Sequence, residues 1–288
     1  MSVTLVSMLL TGAIGLVAAV LLYFAAKRFA VKENPLVGEV LERLPGANCG
    51  GCGYSGCEAF AKACVQADTL KGLYCTGLDS AAMEDIASLL GLKAEKRMRK
   101  VAVIRCNATC DVREVKNEYE GLRSCAAASS LYQGMIDCVY GCLGLGDCVA
   151  ACPFGAMSLR PGETLPTVDT DKCTGCGQCF EACPRSLPMI LPEGETGHLT
   201  WVSCANKDRG AVAIKECNLS CIGCGRCKKA CLHDAVTIDG SLATINADNC
   251  QSCGECVKAC PRHCISTLDI KKMRYAGAEP EKGGEERK

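Results

Sequence analysis

Three stretches of this chain set four cysteines at the spacing Cys-x2-Cys-x2-Cys-x3-Cys: Cys173, Cys176, Cys179 and Cys183; Cys221, Cys224, Cys227 and Cys231; and Cys250, Cys253, Cys256 and Cys260. Such a run suits thiolates that share a metal cluster and gives no disulfide framework. The chain has 27 cysteines in 288 residues, a density that in a short secreted domain would mean disulfides. Thiolates that hold iron must stay reduced, so the cysteine-rich part is expected in a reducing compartment. With 5% aromatic residues and one Trp, the conventional core is modest. Metal ligation is expected to supply stability that apolar burial does not.

From residue 125 onward the pattern repeats. Cys125-x12-Cys138-x3-Cys142-x5-Cys148-x3-Cys152 recurs as Cys204-x12-Cys217-x3-Cys221-x5-Cys227-x3-Cys231, and each copy is followed by a regular quartet. Two tandem units are the natural reading. Hairpins are expected inside them, at 157–168 around Pro161-Gly162 and at 235–245 around Asp239-Gly240-Ser241. In two-cluster bacterial ferredoxins each run gives three cysteines to one [4Fe–4S] cluster and its fourth to the other. The second unit fits directly: Cys221, Cys224 and Cys227 with Cys260, and Cys250, Cys253 and Cys256 with Cys231. The first unit gives Cys173, Cys176 and Cys179 with Cys152. Its other set is irregular, because Leu145 stands where a middle cysteine belongs. Cys138 is the expected replacement, which gives Cys138, Cys142, Cys148 and Cys183. Gly141, Gly144, Gly146, Gly175, Gly177, Gly223 and Gly225 allow backbone N–H groups to turn toward sulfur and tune the cluster potentials.

Cys49-x2-Cys52-x4-Cys57-x17-Cys75, laced with Gly50, Gly51, Gly53 and Gly56, is a fifth candidate site. Zinc is its structural alternative, since it also takes four thiolates. Cys64 reads as a buried free thiol. Cys106, Cys110 and Cys125 are candidate ligands of a sixth cluster, with buried metal-free cysteines as the alternative. Cys204, Cys217 and Cys264 have no role that spacing assigns.

The N-terminus has a different character. Between Val3 and Ala26 there is no charged residue, enough for a helix to cross a membrane, and Lys27, Arg28 and Lys32 come directly after. The positive-inside rule places residues 27–288 on the cytoplasmic side of the cell (inner) membrane. A signal peptide is the competing reading, but the stretch lacks a basic start and is too long. Ser7, Thr11, Gly15 and Ala19 make a small-residue stripe suited to a partner membrane helix. Residues 92–100 (LKAEKRMRK) read as a linker, with contact to anionic lipid as the alternative. The zero net charge argues against a nucleic-acid partner. No GxGxxG, P-loop or HExxH motif occurs, and His198, His233 and His263 fall in no catalytic pattern. No catalytic residue is expected on this chain alone.

The expected fold class is α+β. A transmembrane anchor (1–28) precedes a helical four-cysteine [4Fe–4S] module (29–92) and a basic linker with extra candidate ligands (93–136). Two ferredoxin-like units come next (137–192 and 193–270), then a charged tail (271–288) expected to be disordered. The apolar N-terminus, the ANCGGCGYSGC module and ferredoxin units containing YGCLGLGDCVAACPFGAM together resemble the B subunit of the Rnf electron-transport complex. The resemblance covers all but the tail, and its longer form carries the extra ferredoxin unit. It implies a subunit of a redox-driven Na⁺ or H⁺ pump, a ferredoxin:NAD⁺ oxidoreductase. Such a subunit accepts electrons from soluble ferredoxin and relays them toward an NAD-binding partner subunit, among other membrane and peripheral subunits. It also implies that Cys49, Cys52, Cys57 and Cys75 ligate a cluster, for at least five in all. A membrane-bound polyferredoxin that feeds another reductase or redox regulator, without pumping, is the alternative.

Overall fold

The computed structural model describes residues 3–28, 34–95, 98–109, 115–130, 134–160, 162–193 and 197–270. Cys110 and the expected tail lie outside them. Helix α1 (Val3–Arg28) contains the apolar stretch and ends on Lys27 and Arg28. Its segment Leu5–Arg28 has a mean hydropathy of 2.5 and is not buried against any of the other described residues. At 1.5 Å per residue it is long enough to cross a hydrocarbon layer of about 30 Å.

Three short helices form the next module: α2 (Pro35–Arg43), α3 (Cys57–Gln66) and α4 (Ser80–Leu90). Pro35 opens α2, and the Asn34 side chain caps it by accepting from Leu36 N. The Asp79 carboxylate caps α4 by accepting from Ala82 N at 2.8 Å, and Gly91 ends it in the left-handed conformation (φ 67°). Val37, Val40 and Leu44 meet Phe60, Ala61, Cys64, Met83 and Ile86 in one buried core. The helical spacing of these apolar residues is what makes each helix bury one face.

The first ferredoxin-like unit contains β1 (Lys100–Ile104), α5 (Cys125–Ser130), α6 (Asp147–Ala150), β2 (Met157–Ser158), β3 (Thr167–Val168), α7 (Gln178–Glu181) and β4 (Pro188–Pro192). The second contains β5 (His198–Val202), α8 (Gly210–Glu216), α9 (Arg226–Ala230), β6 (Val236–Asp239), β7 (Leu242–Ile245), α10 (Glu255–Ala259) and β8 (Ile265–Asp269). Helix and strand mix as the sequence predicts. Both hairpins form as antiparallel pairs, β2–β3 with two residues a side and β6–β7 with four.

Each unit is also closed by its first and last strands. β1 pairs antiparallel with β4 from Lys100↔Pro192 to Ile104↔Pro188, and β5 pairs with β8 from His198↔Asp269 to Val202↔Ile265. β1 falls within the segment read as linker. Its Val101, Ala102 and Val103 are buried against Cys148, Cys173 and Cys179, so thiols and aliphatic side chains share one core. Burying a Val side chain contributes roughly 1.5–3 kcal/mol, enough to draw this short strand into the fold.

Leu199 and Ile270 of the second unit enter that same core, and Trp201 Nε1 donates to Ile104 O at 3.0 Å. The two units are therefore one packed body. The four-cysteine module docks on the first unit through Gln178 Nε2, which donates to Cys49 O at 2.5 Å. Gly51 permits the approach: a Cβ there would lie 2.6 Å from Thr76 Oγ1 and 2.8 Å from Cys176 Cα.

Candidate iron–sulfur centres

Regular cysteine runs sit on loops whose fourth residue is carried away by a short helix. In each of three runs a left-handed glycine (Gly177, Gly225 or Gly254) precedes that helix, and the third cysteine (Cys179, Cys227 or Cys256) sits buried inside it. The crossed sets then come together in space. One cavity is lined by Cys231, Cys250, Cys253 and Cys256. Cys227 lies near Cys221, Cys224 and Cys260. In the first unit Cys179 lies near Cys152, Cys173 and Cys176. In the module Cys75 lies near Cys49, Cys52 and Cys57. The Asn48 carboxamide accepts from Cys57 N at 2.8 Å, which fixes the start of α3 and the direction of that thiol.

Cys142, Cys148 and Cys183 are also brought together, but their fourth partner is not the expected one. They line a cavity with Cys125, and Cys138 lies elsewhere. Asp147 explains the placement. Its carboxylate accepts from Cys125 N at 2.8 Å, Ala126 N at 3.0 Å and Ser124 Oγ at 3.0 Å, which caps α5 and turns Cys125 into the cavity. Burial works against the charge on Asp147, but these three donors hold its carboxyl below the usual carboxylate range. Leu145, which fills the place of a middle cysteine, packs instead with Ala128, Ile136 and Leu143.

Cys138 lines a third cavity with Cys106, Cys204 and Cys217. The repeat that aligned Cys125 with Cys204 is therefore an accident of spacing. Cys106 and Cys204 each lie two residues beyond the first strand of their unit. They also accept equivalent bonds, from Cys142 N at 3.5 Å and Cys221 N at 3.3 Å.

Backbone amides reach many of these sulfurs, among them Ala102 N to Cys173 at 3.3 Å, Ala156 N to Cys152 at 3.3 Å and Ser252 N to Cys250 at 3.4 Å. Such bonds favour thiolate charge and stabilise a reduced cluster. Without metal, burial pushes the Cys138 and Cys148 thiols up to about 12 and those of Cys75 and Cys179 to about 11. Ligation must displace those protons. The donor chemistry (sulfur in sets of four, each with buried members and N–H groups nearby) fits iron–sulfur cubanes.

A family model for an Fe-S cluster matches residues 44–69, and one for a 4Fe-4S dicluster domain matches residues 137–187 and 220–264. The chain is 41% identical over 261 residues to the B subunit of the Na(+)-translocating ferredoxin:NAD(+) oxidoreductase complex of Acetobacterium woodii, covering 88% of this chain and 75% of that protein. It is 42% identical over 238 residues to the B subunit of the proton-translocating ferredoxin:NAD(+) oxidoreductase complex of Clostridium ljungdahlii, covering 82% of each. To the B subunit of the ion-translocating oxidoreductase complex of Methanosarcina acetivorans it is 36% identical over 265 residues, covering 92% of this chain and 98% of that protein. The chain belongs to the family of Rnf complex B subunits. [4Fe–4S] ligation by the two dicluster units follows from their family model.

The dicluster match stops short of four cysteines that line these cavities: Cys106, Cys125, Cys204 and Cys217. Sequence reasoning grouped Cys106 with Cys125 and left Cys204 and Cys217 aside. The available signal was the short apolar run Lys100–Ile104 just before Cys106, matched by His198–Val202 just before Cys204. Cys64 is fully buried in the module core, where burial and the nearby Cys52 and Cys75 push its thiol up to about 11. Cys264 is also buried, with its sulfur 3.6 Å from Cys260 Sγ.

Proposed function

We propose that this chain is the membrane-anchored electron relay of an ion-translocating ferredoxin:NAD⁺ oxidoreductase complex. It would accept electrons from reduced ferredoxin and pass them toward an NAD-binding partner subunit. Five sets of ligands carry the reading: Cys49, Cys52, Cys57 and Cys75; Cys152, Cys173, Cys176 and Cys179; Cys125, Cys142, Cys148 and Cys183; Cys221, Cys224, Cys227 and Cys260; and Cys231, Cys250, Cys253 and Cys256. The observation that supports it most directly is the packing of these sets within one continuous body, where Cys176 lies near Cys49 and Cys148 near Cys179.

Bound clusters would supply one-electron chemistry. The chain holds them at fixed separations, keeps water from the buried sulfurs and sets potentials through N–H···S bonds. Helix α1 fixes the relay to a membrane, with Lys27 and Arg28 on the cytoplasmic side of the cell membrane. Ion movement and NAD chemistry belong to partner subunits.

The test is anaerobic purification of the full chain, metal analysis, and mixing with reduced ferredoxin. The reading predicts at least about 20 iron atoms per chain and rapid bleaching of the cluster absorbance by reduced ferredoxin. Iron below about 16 atoms per chain would remove at least one assigned set, and no bleaching would remove ferredoxin as donor.

A further inference from the structure

Cys106, Cys138, Cys204 and Cys217 come from three separate stretches of both ferredoxin-like units, yet they line one cavity. The two units supply equivalent pairs. Cys106 and Cys204 each follow a first strand by two residues. Cys138 and Cys217 each precede the first cysteine of a cluster run, Cys142 or Cys221, by four positions. The supports match as well. Arg185 donates to the carbonyls of Cys138 and Gly141, and Arg262 to those of Cys217 and Ser220. Tyr140 N bonds Cys138 as Leu219 N bonds Cys217. Each unit thus contributes two of the four residues, from equivalent positions with equivalent supports.

Cys138, Cys204 and Cys217 are buried, and Cys106 is half-buried. The cavity is of the same order of size as those lined by the ferredoxin-type sets. Every sulfur in it accepts an N–H bond. Cys142 N reaches Cys106, Tyr140 N reaches Cys138, Cys221 N reaches Cys204 and Leu219 N reaches Cys217. The buried Asn206 carboxamide adds a 3.5 Å contact to Cys138 Sγ while donating to Glu216 at 2.6 Å. Three buried thiols and a half-buried one, gathered without a disulfide and each facing an N–H donor, make a donor set suited to a cluster.

We propose that Cys106, Cys138, Cys204 and Cys217 ligate a further [4Fe–4S] cluster, shared between the two ferredoxin-like units, that completes a single line of six. The proposal rests on the relay reading above. The line runs from the module set through Cys49 beside Cys176, then from Cys179 to Cys148. It continues from Cys142, whose N–H bonds Cys106, across the shared site to Cys204 beside Cys221, and from Cys227 to Cys256. Each transfer along it oxidises one cluster by one electron and reduces the next, with no bond made or broken. Without the shared site, each ferredoxin-like unit would hold a separate cluster pair.

The experiment uses the full chain, purified anaerobically, with iron and zinc counted and intact mass measured under native conditions. Wild type is expected to carry about 24 iron atoms as six cubane increments. Cys106→Ser and Cys217→Ser, one from each unit, should each lose the same four or so iron atoms and keep the other five clusters' signals. The double variant should lose no more than either alone. Unchanged iron in both variants, additive losses in the double variant, or one zinc atom per chain lost with the site would each overturn the proposal. Five cubane increments in wild type would overturn it without any variant. Iron far below five clusters in wild type would instead sink the relay reading on which it rests.

Discussion

Asp147→Ala should release one cluster from the first unit and leave the others in place. The carboxylate makes three bonds to the start of α5, to Cys125 N, Ala126 N and Ser124 Oγ, all between 2.8 and 3.0 Å. Hydrogen bonds to a charged acceptor contribute about 1.5–3 kcal/mol each, and loss of a helix cap costs about 0.5–2 kcal/mol. The Asp147 side chain is partly open to water and its three bonds act together. A net loss of about 2 kcal/mol is therefore the working figure, or roughly 30-fold in the population with Cys125 detached. The assay is anaerobic iron release to a chelator, followed optically. About four iron atoms should leave the variant some 30-fold faster than wild type, while the remainder keeps its wild-type rate. Asp147→Asn, which retains an acceptor oxygen, should fall between. If Asp147→Ala releases iron in one phase at the wild-type rate, then Cys125 does not depend on this cap and its assignment as a ligand loses its structural basis.

Cys264 offers a test of potential. Its thiol bonds to Cys221 sulfur, and that bond is the leading reason the Cys221 thiol is held below its ordinary range. One such bond, at about 1 kcal/mol, corresponds to roughly 40 mV for a one-electron couple. Cys264→Ala should lower the potential of the cluster held by Cys221 by about that much, and Cys264→Ser should restore most of it; an EPR redox titration that finds both variants at the wild-type value would discount the bond. Gly51→Ala concerns the module's docking. The added methyl would meet Thr76 Oγ1 at 2.6 Å and Cys176 Cα at 2.8 Å, and backbone cannot step aside. Overpacking of this kind costs about 1–3 kcal/mol, so amide exchange around residues 49–53 and 174–178 should rise by roughly 5- to 150-fold. Unchanged exchange would mean that the module is held elsewhere.

Local chemistry was readable from the chain, and tertiary chemistry was not. A run such as Cys250, Cys253, Cys256 carries its own geometry, because one loop and one turn of helix set all three sulfurs. The apolar period of α2 and the Asp-Gly turn between β6 and β7 are equally local. The pairing of β1 with β4 joins residues some ninety positions apart, and it is driven by burial of Val101 and Val103 against a core that includes thiols. A five-residue apolar stretch after a basic segment gives no sign of that partner.

The exchange of Cys125 and Cys138 shows the same limit at the level of the site. Counting residues aligned Cys125-x12-Cys138 with Cys204-x12-Cys217, and the count is correct. What the fold repeats is strand, then cysteine, then loop: β1 leads to Cys106 and β5 to Cys204. Thirty-one residues separate Cys106 from Cys138, but only twelve separate Cys204 from Cys217. The longer connection of the first unit carries α5, and α5 carries Cys125 to the place that Leu145 leaves without a thiol. The substitution and the insertion thus compensate each other across the cavity, and Asp147 couples them. Cys138, released from that set, stays in the position equivalent to Cys217, held by Arg185 as Cys217 is held by Arg262. Two irregularities that look independent in the sequence have one structural cause.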